Sequence, residues 1–102
     1  MKGEAYTLAV WRVKEGREEE FVELWKGDLA DYFLGLPNPP GPGTLVRSVD
    51  DPQLFYSFGP WNSPDDIRKM RSNPRTREVI GRLAALCEEA KPGTFQVVAT
   101  AP

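Results

Sequence analysis

Between Leu54 and Asp66 the chain reads Leu-Phe-Tyr-Ser-Phe-Gly-Pro-Trp-Asn-Ser-Pro-Asp-Asp, and this stretch sets the order of the elements around it. Phe55, Tyr56 and Phe58 favour an extended strand over Leu54–Gly59. Gly59-Pro60 breaks it, and Trp61 follows. Ser63 is a helix N-cap, because its hydroxyl can accept from a first-turn N–H. Pro64 suits the first helical position, where a missing N–H leaves nothing unsatisfied. Asp65 and Asp66 then lie where the helix dipole favours negative charge. A strand must therefore precede Trp61 and a helix must follow Ser63.

On both sides the same reading extends. Ala5–Val13 predicts a strand apolar on both faces, with Thr7, Ala9, Trp11 and Val13 on one and Tyr6, Leu8 and Val10 on the other. Lys14-Glu15-Gly16 is a turn. From Arg17 to about Leu36, Phe21, Leu24, Trp25, Leu29, Tyr32, Phe33 and Leu36 recur at helical spacing, with a bend or close contact expected at Gly27. The run Arg17-Glu18-Glu19-Glu20 reads as a solvated first turn. The segment 36–43, Leu-Pro-Asn-Pro-Pro-Gly-Pro-Gly, cannot continue a helix and predicts a rigid connector or flap.

Thr44–Val49 reads as a second strand, hairpinned through Asp50-Asp51-Pro52-Gln53 to the third. Helical sequence then runs from Pro64 to about Ala90, broken at Ser72-Asn73-Pro74. Its second part carries Val79, Ile80, Leu83, Leu86, Cys87 and Ala90 on one face. Lys91-Pro92-Gly93 is read as its end, and Thr94–Thr100 as a fourth strand.

The order β-α-β-β-α-β predicts an α+β, ferredoxin-like domain spanning 1–102, an antiparallel four-stranded sheet with two helices on one face. The other sheet face is left bare and apolar. A chain of 102 residues with 40% hydrophobic content has little core to spare. A homodimer joined through the sheet face, closing an α+β barrel, is the expected solution.

Several chemistries are excluded early. There is no histidine, so no Ser-His-Asp or Cys-His pair and no histidine-ligated haem, zinc or iron can be built. A single cysteine, Cys87, excludes an internal disulfide and a thiolate cluster, and it is expected to be a buried inert thiol. No cofactor or metal is expected. A net charge of −2 gives a nucleic-acid backbone little to attract it. The topology is shared with RNA-recognition domains, but their basic-glycine-aromatic signature on the third strand is missing. No run approaches the length needed to span a bilayer, and Met1-Lys2-Gly3-Glu4-Ala5 has no apolar leader core. A cytoplasmic setting is expected.

Three segments together resemble the antibiotic biosynthesis monooxygenase-like family of dimeric α+β barrel proteins. They are Trp11-Arg12-Val13-Lys14-Glu15-Gly16-Arg17-Glu18-Glu19-Glu20-Phe21, Ser48-Val49-Asp50-Asp51, and Phe55 through Phe58 to Trp61-Asn62-Ser63. The proline connector departs from the shorter acidic-glycine turn usual there. The resemblance implies cofactor-independent oxidation of a small aromatic or phenolic substrate in a pocket between sheet and helices. The alternative is a homodimer of the same fold that binds or sequesters a small apolar or aromatic molecule without turnover. In the haem-degrading branch an asparagine, a tryptophan and a histidine carry the site. Those positions fall here on Ala9, Met70 and Ile80, so haem degradation is not expected.

The pocket candidates are Trp11, Tyr32, Arg47, Tyr56, Trp61 and Met70. Trp11 and Trp61 have plain readings as core and as a plug where strand meets helix. Tyr32 stands close to the connector and can line a pocket mouth, with core packing as its plain reading. Arg47 and Tyr56 are polar groups among apolar strand neighbours, with an ion pair and an amphipathic core residue as their plain readings. Arg12 is read as a rim residue, and Met70 as an adaptable gap-filler or pocket wall. No catalytic residue is assigned.

Overall fold

The computed structural model describes residues 4–102; the expectation drawn from Met1-Lys2-Gly3 lies outside them. Four strands form one antiparallel sheet: β1 (Ala5–Val13), β2 (Thr44–Arg47), β3 (Leu54–Trp61) and β4 (Cys87–Gln96), in the order β2-β3-β1-β4. One face is covered by α1 (Glu18–Leu24), a π-helical segment (Trp25–Leu29), α2 (Ala30–Leu34), α3 (Pro64–Ser72) and α4 (Pro74–Ala84). This is the ferredoxin-like α+β arrangement.

Strand pairing follows side-chain alternation. β1 is central and pairs along its length with β3, from Ala5 opposite Trp61 to Arg12 opposite Leu54. Ala5, Ala9, Trp11 and Val13 are buried beneath the helices. Trp11, Phe21 and Phe55 stack in sequence with ring centroids 5.3 Å apart at each step. Val13, Val79, Leu83 and Leu86 complete that core. A smaller one gathers Ala5, Trp61, Ile67 and Met70, with Phe33 edge-on to Trp61 at 5.2 Å.

Both helix starts after the hairpin are capped, the first at Ser63 as the sequence predicts. Ser63 Oγ accepts from Asp66 N–H at 3.1 Å, and the Asn73 side chain accepts from Arg75 N–H at 2.9 Å. Pro64 and Pro74 open the two helices. The interruption expected at Gly27 is the π segment, which widens the helix by about one residue per turn.

Three boundaries differ from expectation. The last helix stops at Ala84, and Cys87–Gln96 is one long strand, not a helix tail followed by a strand at Thr94–Thr100. Glu88, Glu89, Ala90 and Lys91 are good helix formers, but here they pair with β1, with a bulge where Arg12 faces Glu89 and Val13 faces Cys87. Pro92 is tolerated because β4 is an edge strand. The third strand continues through Gly59-Pro60 to Trp61. Beyond the end of β2, the Pro60 carbonyl accepts from Gly41 N–H at 3.1 Å, so the proline nitrogen faces no ladder partner. The second strand stops at Arg47 instead of Val49.

The proline connector lies against β3. A Cβ at Gly59 would stand 3.0 Å from Gly43 Cα, so any larger residue would have to push the connector back by a few tenths of an ångström. Asn62 Nδ2 donates to the carbonyl of Pro39 at 3.2 Å, and Asn38 Nδ2 to Asp66 at 2.9 Å. The connector is thereby held over the junction of β3 and α3.

Opposite the helices, Tyr6, Leu8 and Val10 share a face with Val46, Tyr56, Phe58 and Phe95 by the strand register. Val46, Tyr56 and Phe95 are 44%, 40% and 51% exposed, which marks this face as uncovered in the single chain. Among the described residues no helix is long and apolar enough to cross a membrane.

Candidate functional site

A cavity of about 360 Å³ lies between the sheet and the helices. Its floor is Thr7, Ala9 and Trp11 of β1, Ser57 of β3, and Ala90 and Pro92 of β4. Leu29 and Phe33 form one wall; Met70, Thr76 and Ile80 form the other, with Arg71 and Arg77. The π segment places Leu29 inward, where it is buried. The break at Asn73-Pro74 turns α4 away from α3 and sets Met70 and Thr76 on the same cavity.

Most of the lining is apolar; apart from Arg71 and Arg77 at its edge, its polar side chains are hydroxyls engaged by aromatic side chains. The Trp11 indole N–H donates to Ser57 Oγ at 2.9 Å. The Trp61 indole N–H donates to Thr7 Oγ1 at 3.1 Å. The hydroxyls of Tyr32 and Thr76 share a short hydrogen bond. Because Ser57 and Thr7 accept from the indoles, each keeps its own O–H for donation. Among the described residues the lining contains no carboxylate, lysine or thiol. The floor therefore offers hydrogen-bond donors in an apolar surround and no strong base.

The candidates named from sequence divide in space. Trp11 and Met70 line the cavity directly. Tyr32 and Trp61 stand one hydrogen bond behind it, through Thr76 and Thr7. Arg47 and Tyr56 are elsewhere. Arg47 Nε donates to the Pro52 carbonyl at 2.7 Å and its guanidinium lies 5.2 Å from the Phe55 ring centroid, so it holds the hairpin turn. Tyr56 pairs with Val10 and Val46 on the open sheet face. Arg12 is a rim residue, bridged to Asp51 at 3.0 Å. Sequence reasoning did not single out Ser57, Thr76, Arg71 or Arg77. Ser57 had a legible signal, a hydroxyl two residues from Phe55 on the inward alternation.

Cys87 is buried at the start of β4, and its Sγ is 3.5 Å from the Leu83 carbonyl. Burial pushes its thiol up to about 11, from an ordinary 9.0. Two units correspond to about a hundredfold less thiolate near neutral pH. Labelling by a disulfide reagent at pH 8 should accordingly be about a hundredfold slower in the native protein than in urea. Equal rates would show that the thiol is open to solvent. Among the described residues no three or more metal-ligating side chains cluster.

Solved structures with this architecture share nearly its whole length. SnoaB, a cofactor-independent oxygenase from Streptomyces nogalater, superposes with a TM-score of 0.83 over 98% of both chains, at 23% identity. An antibiotic biosynthesis monooxygenase, described as putative, from Nitrosomonas europaea gives 0.77 at 16% identity, over 96% of this chain and 93% of that one. The fold is that of the antibiotic biosynthesis monooxygenases. A conserved protein from Methanosarcina mazei Go1 has it too, with a TM-score of 0.77 at 15% identity over 92% of each chain. No protein-family model and no curated protein matched the sequence. The resemblance first carried by Trp11–Phe21 and by the Phe55–Ser63 junction thus extends over the entire monooxygenase-like fold.

Proposed function

We propose that this protein is a cofactor-independent monooxygenase that oxidises a small aromatic phenol in the cavity between sheet and helices, acting as a homodimer paired through the open sheet face. The observation that carries this reading is an otherwise apolar cavity whose floor hydroxyls, Ser57 and Thr7, accept from indoles and keep their own O–H groups for donation. A volume of about 360 Å³ is at the small end for ligand pockets, suited to two or three fused rings. The hydroxyls of Ser57 and Thr7 would stabilise a phenolate, lowering the cost of ionising the substrate in a dry site.

The ionised ring gives one electron to dioxygen, and the radical pair combines with formation of a carbon–oxygen bond. The resulting hydroperoxide breaks its O–O bond as the proton on the same carbon leaves. A carbonyl and one water are formed. Substrate loses two hydrogens and gains one oxygen atom, a four-electron oxidation that fully reduces dioxygen, so no further reductant is consumed.

The lack of a carboxylate, lysine or thiol among the described residues of the lining favours one second reading, a dimer that binds such a molecule without turning it over. One measurement separates the two. With a hydroxylated anthrone in chelator-treated buffer, the enzyme reading expects one dioxygen consumed per substrate and a quinone product. Ser57→Ala should lower the rate about a hundredfold or more, within the range for loss of an oxyanion donor. Recovery of the unchanged anthrone from a tight complex would instead establish sequestration.

A further inference from the structure

We propose that Arg71 and Arg77 form an anion clamp at the cavity mouth, and that the molecule held inside carries a carboxylate on its aromatic body. The inference rests on the cavity reading above and names the substrate class more narrowly. Both arginines line the cavity, and both also line an open groove beside it, with Arg68, Lys69 and Asp65. They therefore mark the junction between apolar interior and solvent. The break between α3 and α4 brings them together: Arg77 Nε donates to the Arg71 carbonyl at 3.4 Å.

Neither has a carboxylate partner among the described residues. Arg71 Nη2 donates to the Gly93 carbonyl at 2.8 Å and Nη1 to Thr94 Oγ1 at 2.5 Å, both neutral acceptors on β4. Asp65, the acidic residue in the groove, is engaged by Arg68. A guanidinium has five N–H donors, so the part-buried Arg71 keeps donors for a ligand while its position is fixed. Partly desolvated charge is costly without a counter-charge. The groove is thus locally basic in a chain whose net charge is −2. A planar fork that is already oriented suits a carboxylate better than a lysine would.

Calorimetry with 2-naphthoate and 2-naphthamide tests the clamp, since the two probes share their rings and differ in charge. Wild-type protein should bind the acid about tenfold more tightly than the amide, with the advantage shrinking as salt is raised. Arg77→Gln, at an exposed position, should remove most of that advantage and weaken the amide far less than the acid. Arg71→Lys keeps the charge and removes the fork, and should weaken the acid about threefold or more. Equal binding of acid and amide overturns the clamp while leaving the cavity reading intact. A preference for the acid that survives both substitutions overturns the assignment to these residues. Failure of both probes to bind overturns the cavity reading and the clamp with it.

Discussion

Phe21→Ala should destabilise the protein by about 4 kcal/mol, within the range for truncating a buried phenylalanine. Phe21 is 0% exposed and sits between Trp11 and Phe55. Its removal takes away buried apolar area and both ring contacts, which are worth about 0.5–1.5 kcal/mol each beyond burial. The neighbours cannot collapse into the space. Trp11 is tethered by its indole to Ser57, and Phe55 is fixed in the ladder opposite Trp11. Since small domains are stable by about 5–15 kcal/mol, much of the total is removed. Urea unfolding at one fixed protein concentration measures it, because self-association would make the midpoint concentration-dependent. A loss below about 1 kcal/mol would show that the helix face repacks and that the three-ring stack is not the centre of the core. Phe21→Leu should cost less, because it leaves a smaller void.

That stack was legible early because two periodicities converge on it. The alternation through Trp11 and Val13 and the helical spacing from Phe21 both point inward. The capped junction at Ser63-Pro64 was also local chemistry, and it survives unchanged in the fold. The Cys87–Gln96 strand was not legible. Leu83, Leu86, Cys87 and Ala90 continue a helical stripe, and nothing within the segment opposes it. What decides the outcome is pairing with β1, more than seventy residues earlier in sequence. The helix ends when Leu86 N–H turns back to the Leu83 carbonyl and the Leu86 carbonyl accepts from Lys14 N–H at 2.9 Å. Propensity yields there to tertiary contact.

The cavity was half legible for a related reason. Trp11 and Met70 follow from alternation and helix position, whereas Arg71 and Arg77 depend on how far the chain turns at Asn73-Pro74. Arg47 was misleading because an arginine between apolar strand residues resembles a ligand group. Its strand ends at that residue, so the side chain reaches the hairpin turn instead.

The larger effect on assembly should come from Leu8→Glu. Leu8 lies opposite Phe58 on one side and Gly93 on the other, in the middle of the open face. Around it stand Tyr6, Val10, Tyr56 and Phe95, and among the described residues the face carries no helix. We propose that a second copy covers it. In a two-fold dimer each substitution appears twice, so two carboxylates would be buried against apolar rings. Burying charge without a partner costs several kcal/mol, so dimerisation should weaken by at least about a hundredfold. Val49→Glu serves as the control, since Val49 is 95% exposed and lies beyond the end of β2. At micromolar concentration the wild type and Val49→Glu should sediment at about twice the 11.5 kDa chain mass, and Leu8→Glu as single chains. Leu8 points away from the Trp11–Phe21–Phe55 stack, so the variant should retain its near-ultraviolet circular dichroism. A wild-type monomer would mean that the face is stable in water. A Leu8→Glu dimer as tight as wild type would mean that the two chains meet elsewhere, and either result would remove the sheet face from the assembly.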